Sequence, residues 1–244
     1  MAMSRAIRVF PSSQHAADFL ADQWFRIAWE ATRQKGLFSV ALSGGETPRI
    51  YLPWLAAKDH VLPWNRTHIF LADERIVHPE DRDSNIRLIR ENLISRIKIP
   101  EEHIHAVDTS DLDAEGSAAR YERVLKRYFS GQQSGFDMII LGVGRDGHTA
   151  SLFPESAALT ERRRWVIPVK SPPGIHQRVT LSLAVINGAG HVFLFVSGKG
   201  KACVMKEILL ENKRVPATLI QPEKGDLTFI LDRKAASLLD DIIH

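Results

Sequence analysis

The sequence contains a single cysteine, Cys203, which excludes an intramolecular disulfide and a metal site built from several cysteines. No apolar run approaches the roughly 20 residues that a membrane-spanning helix needs, and the N-terminus lacks the long apolar segment of a secretory signal. The net charge is only +3 and no basic stripe is seen, which argues against nucleic acid as a ligand. We therefore expect a cytoplasmic protein that binds neither nucleic acid nor membrane.

Short apolar segments of strand length alternate with longer amphipathic segments. The predicted strands lie at residues 7–10, 37–42, 68–72, 136–143, 166–169, 179–183, 191–196 and 227–231. The predicted helices lie at residues 13–35, from 47 onward, 84–97, 114–129 and 199–210. This alternation predicts an α/β fold with a mostly parallel, doubly wound, modified Rossmann-like sheet and helices on both faces. We expect a single domain over residues 1–244.

Ligands of open α/β sheets bind beyond the carboxyl ends of the strands, so the residues that follow each apolar segment are the first candidates for a site. Ser43, Gly44 and Gly45 follow one predicted strand and precede a helix. Glycines allow a ligand to approach the backbone, and the N–H groups at a helix N-terminus favour an anion. The pattern fits a phosphate-binding turn and a plain tight turn equally well.

Three charged residues, Asp73, Glu74 and Arg75, directly follow the strand predicted at 68–72. Charges at the end of a buried strand cost desolvation free energy unless they are paired or bind a ligand. One interpretation is a salt-bridged cluster at the sheet edge. The other places a carboxylate and a guanidinium in the binding cleft.

The segment 142–154, GVGRDGHTASLFP, follows the most apolar strand of the chain. Asp146 and His148 are close enough for the carboxylate to orient the imidazole, and histidine is the usual general base at neutral pH. The rival interpretation is a dinucleotide-binding G-x-G-x-x-G motif. It is disfavoured because the segment lies well after the first strand, and no ribose-binding acid follows about 20 residues later.

The segment SGKGK at 197–201 combines glycines with Lys199 and Lys201 at the start of a helix. Cations at a helix N-terminus oppose the helix dipole unless an anion is bound there. The other interpretation is a pair of solvated lysines in a first turn. The motif GxxxxGK[ST] is missing, which argues against nucleoside triphosphates. Together the four segments predict a cleft for a small phosphorylated metabolite.

These segments resemble the 6-phosphogluconolactonase family, within the larger group that includes glucosamine-6-phosphate deaminases. The matching stretches are LSGGETPRIY, FLADERIVHPEDRDSN, FDMIILGVGRDGHTASLFPES, RVTLSLAVINGA and FLFVSGKGKA, in the family's order from about residue 38 to 205. The resemblance implies hydrolysis of 6-phosphogluconolactone to 6-phosphogluconate in the oxidative pentose phosphate pathway. It implies no organic cofactor, and a phosphorylated sugar lactone as the small-molecule partner.

The resemblance also implies residue roles. His148 matches the family's catalytic histidine, a general base on water, and Asp146 would orient it. Arg75 would lie near the lactone or its phosphate, with Asp73 beside it as a substrate-binding residue. The remaining positions match the surroundings of the phosphate: Ser43, Gly44, Gly45, Arg178, Lys199 and Lys201. The resemblance does not say which lysine contacts the phosphate.

A lactone is an activated ester, so a positioned water and a base suffice and no covalent nucleophile is required. Charge develops on the carbonyl oxygen and needs a donor, either Arg75 or the backbone amides of 144–147. The absence of G-x-S-x-G argues against an α/β-hydrolase.

Two other functions stay open. The deaminases carry a glutamate where this chain has Phe153, and losing that carboxyl removes a proton-transfer group that amino-sugar chemistry needs. A regulator that binds sugar phosphates without catalysis is the second alternative. It is disfavoured by the Asp146–His148 pair and by the lack of a helix-turn-helix pattern.

Two side-chain types and the oligomeric state complete the sequence predictions. The remaining histidines, His103 and His105 among them, do not show metal-ligand spacing and are expected at the surface, so no metal site is predicted. Cys203 lies in an apolar helical pattern and is expected to be buried. We expect a monomer or a weak homodimer.

Overall fold

The computed structural model describes residues 4–130, 135–170 and 175–239. The strands are β1 Ser4–Phe10, β2 Phe38–Leu42, β3 Thr67–Leu71, β4 Asp73–Arg75, β5 Ile104–His105, β6 Met138–Leu141, β7 Val166–Val169, β8 Arg178–Leu181, β9 His191–Val196 and β10 Asp226–Asp232. The α-helices are α1 Ser13–Lys35, α2 Pro48–Ala57, α3 Asn85–Asn92, α4 Ala114–Tyr128, α5 Leu183–Asn187 and α6 Ala202–Leu209.

The main sheet has 7 strands in the order β1-β10-β9-β6-β2-β3-β5, and every pair in it is parallel. All residues of β2 and β6 are buried, because helices cover the sheet and leave no solvent-facing side. Nearly all of the buried apolar side chains in the described ranges belong to one cluster. The predicted α/β fold with a parallel sheet is confirmed.

The direction of chain progression reverses in the middle of this sheet. From β2 the chain moves to β3 and β5 at one edge, whereas from β6 it moves to β9 and β10 toward the other edge. Right-handed connections therefore place α1, α2 and α3 on one face, where they pack on one another, and α4 and α6 on the opposite face. The reversal lies between β2 and β6, where such sheets open a crevice for ligands.

A second, antiparallel sheet of 3 strands has the order β4-β8-β7. The strands at 166–169 and 179–183 were predicted, but their departure from the parallel sheet was not. The short charged strand β4 was also missed, since DER carries no apolar periodicity. Its register pairs Arg75 with Arg178 and Asp73 with Thr180, so this small sheet carries charged side chains to the crevice.

Two predictions about individual side chains are wrong. Cys203 is exposed, because α6 begins only at Ala202 and buries Val204, Met205 and Ile208 instead. His103 and His105 are half-buried and stack with His68, with ring centroids 4.0 Å apart for His68–His103 and 5.3 Å for His68–His105.

Burial is the main cause that lowers the pKa of His68 to about 4, and the neighbouring imidazoles of His103 and His105 lower it further. The pKa of His105 is also lowered to about 4, mainly by burial and to a smaller extent by His103. The stack lies at the β3–β5 edge of the sheet, where sequence spacing does not reveal which side chains meet.

Candidate active site

A cavity of about 320 Å³ opens at the crevice between β2 and β6. Most of the predicted site residues line it: Ser43, Gly44, Gly45, Asp73, Arg75, His148, Arg178 and Lys201. Asp146 lies behind His148, and Lys199 is exposed outside the cavity wall. The loops that follow β2, β3, β6 and β9 therefore meet at one place, as the carboxyl ends of neighbouring parallel strands must.

The loop after β6 holds the imidazole of His148 against the carboxylate of Asp146. His148 Nδ1 lies 2.5 Å from Asp146 Oδ1, and the same oxygen accepts the backbone N–H of His148 at 3.1 Å. Burial alone would raise the pKa of Asp146, but the hydrogen bonds and charge of His148 outweigh it and lower that pKa. Because Nδ1 is engaged, Nε2 is the ring nitrogen left for a ligand in the cavity.

Gly144 is required by this close packing. A Cβ built at Gly144 would lie 2.1 Å from His148 Nδ1, so any side chain would displace the imidazole. The loop is closed by two backbone bonds, Gly144 N–H to His148 O at 2.8 Å and Gly147 N–H to Gly144 O at 3.1 Å. These two amides are therefore not free to bind a ligand.

The turn after β2 faces the same cavity. Ser43 donates its N–H to Ile140 O at 3.2 Å, whereas the amides of Gly44 and Gly45 bond to none of the residues that the structure describes. A Cβ at Gly44 would lie 1.7 Å from Asn85 Oδ1, so the side chain of Asn85 packs directly on the glycine backbone. Free amides before the N-terminus of α2 favour an anion over a plain structural turn.

The three charges after β3 do not form the salt-bridged cluster that was one of the two interpretations. No ion pair within 4.0 Å involves Asp73, Glu74 or Arg75 in the described part of the chain. Arg75 Nη1 donates to Asp83 O at 2.6 Å. Asp73 Oδ2 accepts from Ser151 Oγ at 2.7 Å, and Asp73 and Arg75 both border the cavity.

Glu74, by contrast, points into the protein and is 1% exposed. It accepts the N–H groups of Asn85, Ile86 and Arg75 at 2.7, 2.8 and 2.7 Å. Burial, with a smaller contribution from Asp73, outweighs these bonds and raises its pKa to about 7. Glu74 is thus an anchor for the N-terminus of α3 and not a cavity residue.

Arg75 and Arg178 lie side by side because they are register partners in β4 and β8. Burial, followed by the charge of Arg75, lowers the pKa of Arg178. The Arg178 guanidinium lies 5.4 Å from the ring centroid of Phe153, and that ring lies 4.7 Å from the ring of His148. Like charges placed opposite each other are unfavourable, and an anionic ligand in the cavity offsets that cost.

The predicted anion-binding turn after β9 is only partly as expected. The buried carboxylate of Asp232 already accepts Ser197 Oγ at 2.6 Å and the Gly198 N–H at 3.0 Å. The protein thus supplies its own anion there, which corrects the interpretation of 197–198 as a free cradle. Lys201 turns to the cavity and donates from Nζ to Val143 O at 2.6 Å.

Several side chains at the cavity were missed by the sequence predictions, among them Glu46, Thr47 and Arg145. Arg145 lies inside the quoted motif, but an arginine in a glycine-rich loop gives no sign of whether it faces a ligand or bulk water. Among the described residues, no group of three or more His, Cys, Asp or Glu side chains could hold a metal ion. No helix in the described ranges is long and apolar enough to cross a membrane.

Comparison with known proteins shows relatives over nearly the whole chain. The sequence profile of the family described as glucosamine-6-phosphate isomerases/6-phosphogluconolactonase matches residues 11–229. A Homo sapiens protein named 6-phosphogluconolactonase is 39% identical over 241 residues, covering 96% of this chain and 93% of that protein. A protein of the same name from Nostoc sp. is 39% identical over 215 residues, covering 86% and 88%. The solved structure of 6-phosphogluconolactonase from Trypanosoma cruzi is 32% identical, covers 98% of both chains, and superposes with a TM-score of 0.85.

Proposed function

The chain belongs to the glucosamine-6-phosphate isomerase/6-phosphogluconolactonase family, and on that premise we propose that it hydrolyses 6-phospho-D-glucono-1,5-lactone to 6-phosphogluconate. The observation that carries the proposal is His148, held by Asp146 and lining a cavity that Arg75, Arg178 and Lys201 also line. A base and several cations in one small cavity suit an ester that carries a phosphate.

His148 is the general base of this reaction. Asp146 holds Nδ1, so Nε2 accepts a proton from a water in the cavity as that water attacks the lactone carbonyl carbon. The positive charge that develops on the imidazole is stabilised by the Asp146 carboxylate, whose pKa is already lowered by His148. The C1–O5 bond then breaks, and the ring oxygen takes the proton back from the imidazolium.

Arg75 is the better of the two candidate donors for the developing oxyanion. Of the four loop amides of 144–147, those of Gly144 and Gly147 are used within their own loop, which excludes these two as oxyanion donors. Arg75 borders the cavity, and its Nε bonds to no group in the described ranges. A preorganised charged donor in a partly dry site stabilises such an oxyanion more than water does.

The phosphate is bound by the turn after β2 and by Lys201. The amides of Gly44 and Gly45 and the side chain of Ser43 line the cavity at the start of α2. Arg178 adds positive charge to the cavity wall. Binding energy from this distant group orients the lactone and supports the chemical step.

The cellular setting is part of the same proposal. We place the reaction in the oxidative pentose phosphate pathway and the protein in the cytoplasm, acting without an organic cofactor as a monomer or weak homodimer. Fractionation of cells and size-exclusion chromatography with light scattering test the location and the oligomeric state.

Turnover of freshly made 6-phosphogluconolactone, corrected for spontaneous hydrolysis, tests the activity. Wild type is compared with His148→Ala and with His60→Ala, which removes an exposed histidine that does not border the cavity. We expect rapid loss of lactone with wild type and His60→Ala only. A rate for His148→Ala equal to that of wild type would assign the role of general base to another residue.

No turnover by wild type contradicts the proposed activity. Release of ammonia from glucosamine 6-phosphate by the same preparation then identifies deaminase chemistry. Binding of sugar phosphates without either reaction identifies a non-catalytic protein.

A further inference from the structure

Two loops at the cavity each place a cationic side chain against the other loop. Lys201, from the loop after β9, crosses to the loop after β6 and donates to Val143 O at 2.6 Å. Arg145, from the loop after β6, covers the loop after β9: a Cβ built at Gly200 would lie 3.4 Å from Arg145 Nη2. Each loop therefore supports the cation of the other, and both cations border the cavity.

Neither cation has an anionic partner among the residues that the structure describes. Within the described ranges no carboxylate lies within 4.0 Å of Arg145 or Lys201, although Glu46 also borders the cavity. Burial and then the charge of Arg145 lower the pKa of Lys201, against the opposing influence of Glu46 and Asp146. The two like charges repel each other in the free protein, and a bound anion relieves that repulsion.

The third wall of this part of the cavity is the turn after β2. Strand β6 lies between β9 and β2 in the sheet, so the three loops that follow these strands are neighbours. The free amides of Gly44 and Gly45 precede the N-terminus of α2, a helix of 10 residues. Two cations and two free amides surround a space suited to a group with several anionic oxygens.

We propose that Arg145 is a phosphate-binding residue, which closes with Lys201 on the phosphate of the substrate and holds it against the amides of Gly44 and Gly45. The identity of the ligand rests on the function proposed above. Arg145 is exposed in the free protein, so it closes the cavity from the solvent side once the phosphate is bound. Its planar guanidinium donates to two phosphate oxygens through two parallel N–H groups in a fixed geometry, which the ammonium of a lysine does not offer.

Direct binding measurements test this role without relying on turnover. Isothermal titration calorimetry gives the Kd of 6-phosphogluconate, inorganic phosphate and gluconate for wild type, Arg145→Ala and Arg145→Lys. Arg66→Ala is the matched control, because Arg66 is exposed and does not border the cavity. Circular dichroism and thermal unfolding confirm that each variant is folded.

We expect Arg145→Ala to weaken the binding of 6-phosphogluconate about tenfold, because one hydrogen-bonded charged residue no longer contacts the phosphate. Gluconate binding should not change, Arg145→Lys should recover part of the affinity, and Arg66→Ala should match wild type. Unchanged affinity of Arg145→Ala for 6-phosphogluconate overturns the proposal. An equal loss of affinity for gluconate also overturns it, because that result would indicate that the substitution displaces the loop.

The result also separates this inference from the proposed activity. Loss of phosphate affinity in Arg145→Ala, in a protein without lactonase turnover, refutes the activity and keeps the phosphate-binding role. Normal lactonase turnover with no effect of Arg145→Ala on any ligand refutes the phosphate-binding role alone. Wild type that binds neither 6-phosphogluconate nor inorganic phosphate refutes Arg145 as a phosphate ligand.

Discussion

Oδ1 of Asp146 contacts His148 twice, at the ring nitrogen Nδ1 over 2.5 Å and at the backbone N–H over 3.1 Å. Two contacts to one oxygen fix the imidazole relative to its own backbone, and the absence of a side chain at Gly144 leaves the room that this position needs. The protein has thus selected which ring nitrogen faces the cavity before any ligand binds. This preorganisation makes the carboxylate testable separately from the base.

Replacing Asp146 with asparagine should lower kcat by about 100-fold, within the range that a positioned general base contributes. An amide can donate to Nδ1 and leave the ring proton on Nε2, where it blocks acceptance of a proton from water. The measurement is kcat for 6-phosphogluconolactone, with Asp22→Asn as an exposed control. A kcat of Asp146→Asn within about twofold of wild type would show that Asp146 does not orient the base.

Lys201 and Lys199 should differ in their effect on substrate binding. Lys201→Ala should raise the KM for the phosphorylated lactone by about tenfold, because a charge-assisted contact is lost. Lys199→Ala should have the smaller effect, since Lys199 is exposed outside the cavity wall. The measurement is the KM for the phosphorylated lactone, determined by steady-state kinetics for both variants under the same conditions. A larger effect from Lys199→Ala would place the phosphate elsewhere.

Gly44→Ala should impair the turn after β2. The added methyl would lie 1.7 Å from Asn85 Oδ1, so either the turn or Asn85 must move. We expect at least a roughly tenfold rise in the KM for the phosphorylated lactone, as an anion loses correctly placed N–H donors.

The matched control is Gly188→Ala, at a backbone φ of −80° and with the nearest atom 3.3 Å from the new Cβ. Its KM should equal that of wild type. A wild-type KM for Gly44→Ala would mean that the turn does not bind the phosphate.

The histidine stack at the β3–β5 edge should make stability depend on pH. The pKa values of His68 and His105 are lowered from 6.5 to about 4, so the folded protein keeps both imidazoles neutral in a range where the unfolded chain takes up protons. The contribution of these two imidazoles to the free energy of unfolding should therefore fall as pH decreases from 6.5 to about 4, whereas protonation of Glu74, whose pKa is raised to about 7, acts in the opposite direction. We expect a total loss on the order of 1–2 kcal/mol, because both imidazoles are partly exposed.

Urea denaturation at several pH values measures this loss. His68→Phe keeps a stacked ring without a titrating group and should reduce the pH dependence, whereas His60→Phe at an exposed position should not. Identical pH dependence in wild type and His68→Phe would assign the acid sensitivity to other groups.

Local pattern was sufficient for most of the secondary structure. Helix α1, at 13–35, and strand β9, at 191–196, lie where they were predicted, because helical and strand periodicity and a terminating glycine are properties of the chain itself. Strand β4 and the small sheet were missed because DER pairs with a strand about 100 residues later, and local sequence carries no record of such pairing.

The same distinction between local sequence and long-range packing applies to the candidate site. The sequence by itself determined which residue types follow each strand, and the family resemblance followed from their order. Only the tertiary structure decided that Lys201 and not Lys199 borders the cavity, that Asp232 occupies the turn at 197–198, and that Glu74 faces inward. Side-chain direction and burial depend on packing between segments distant in the chain, and that packing exists only once the sheet has formed.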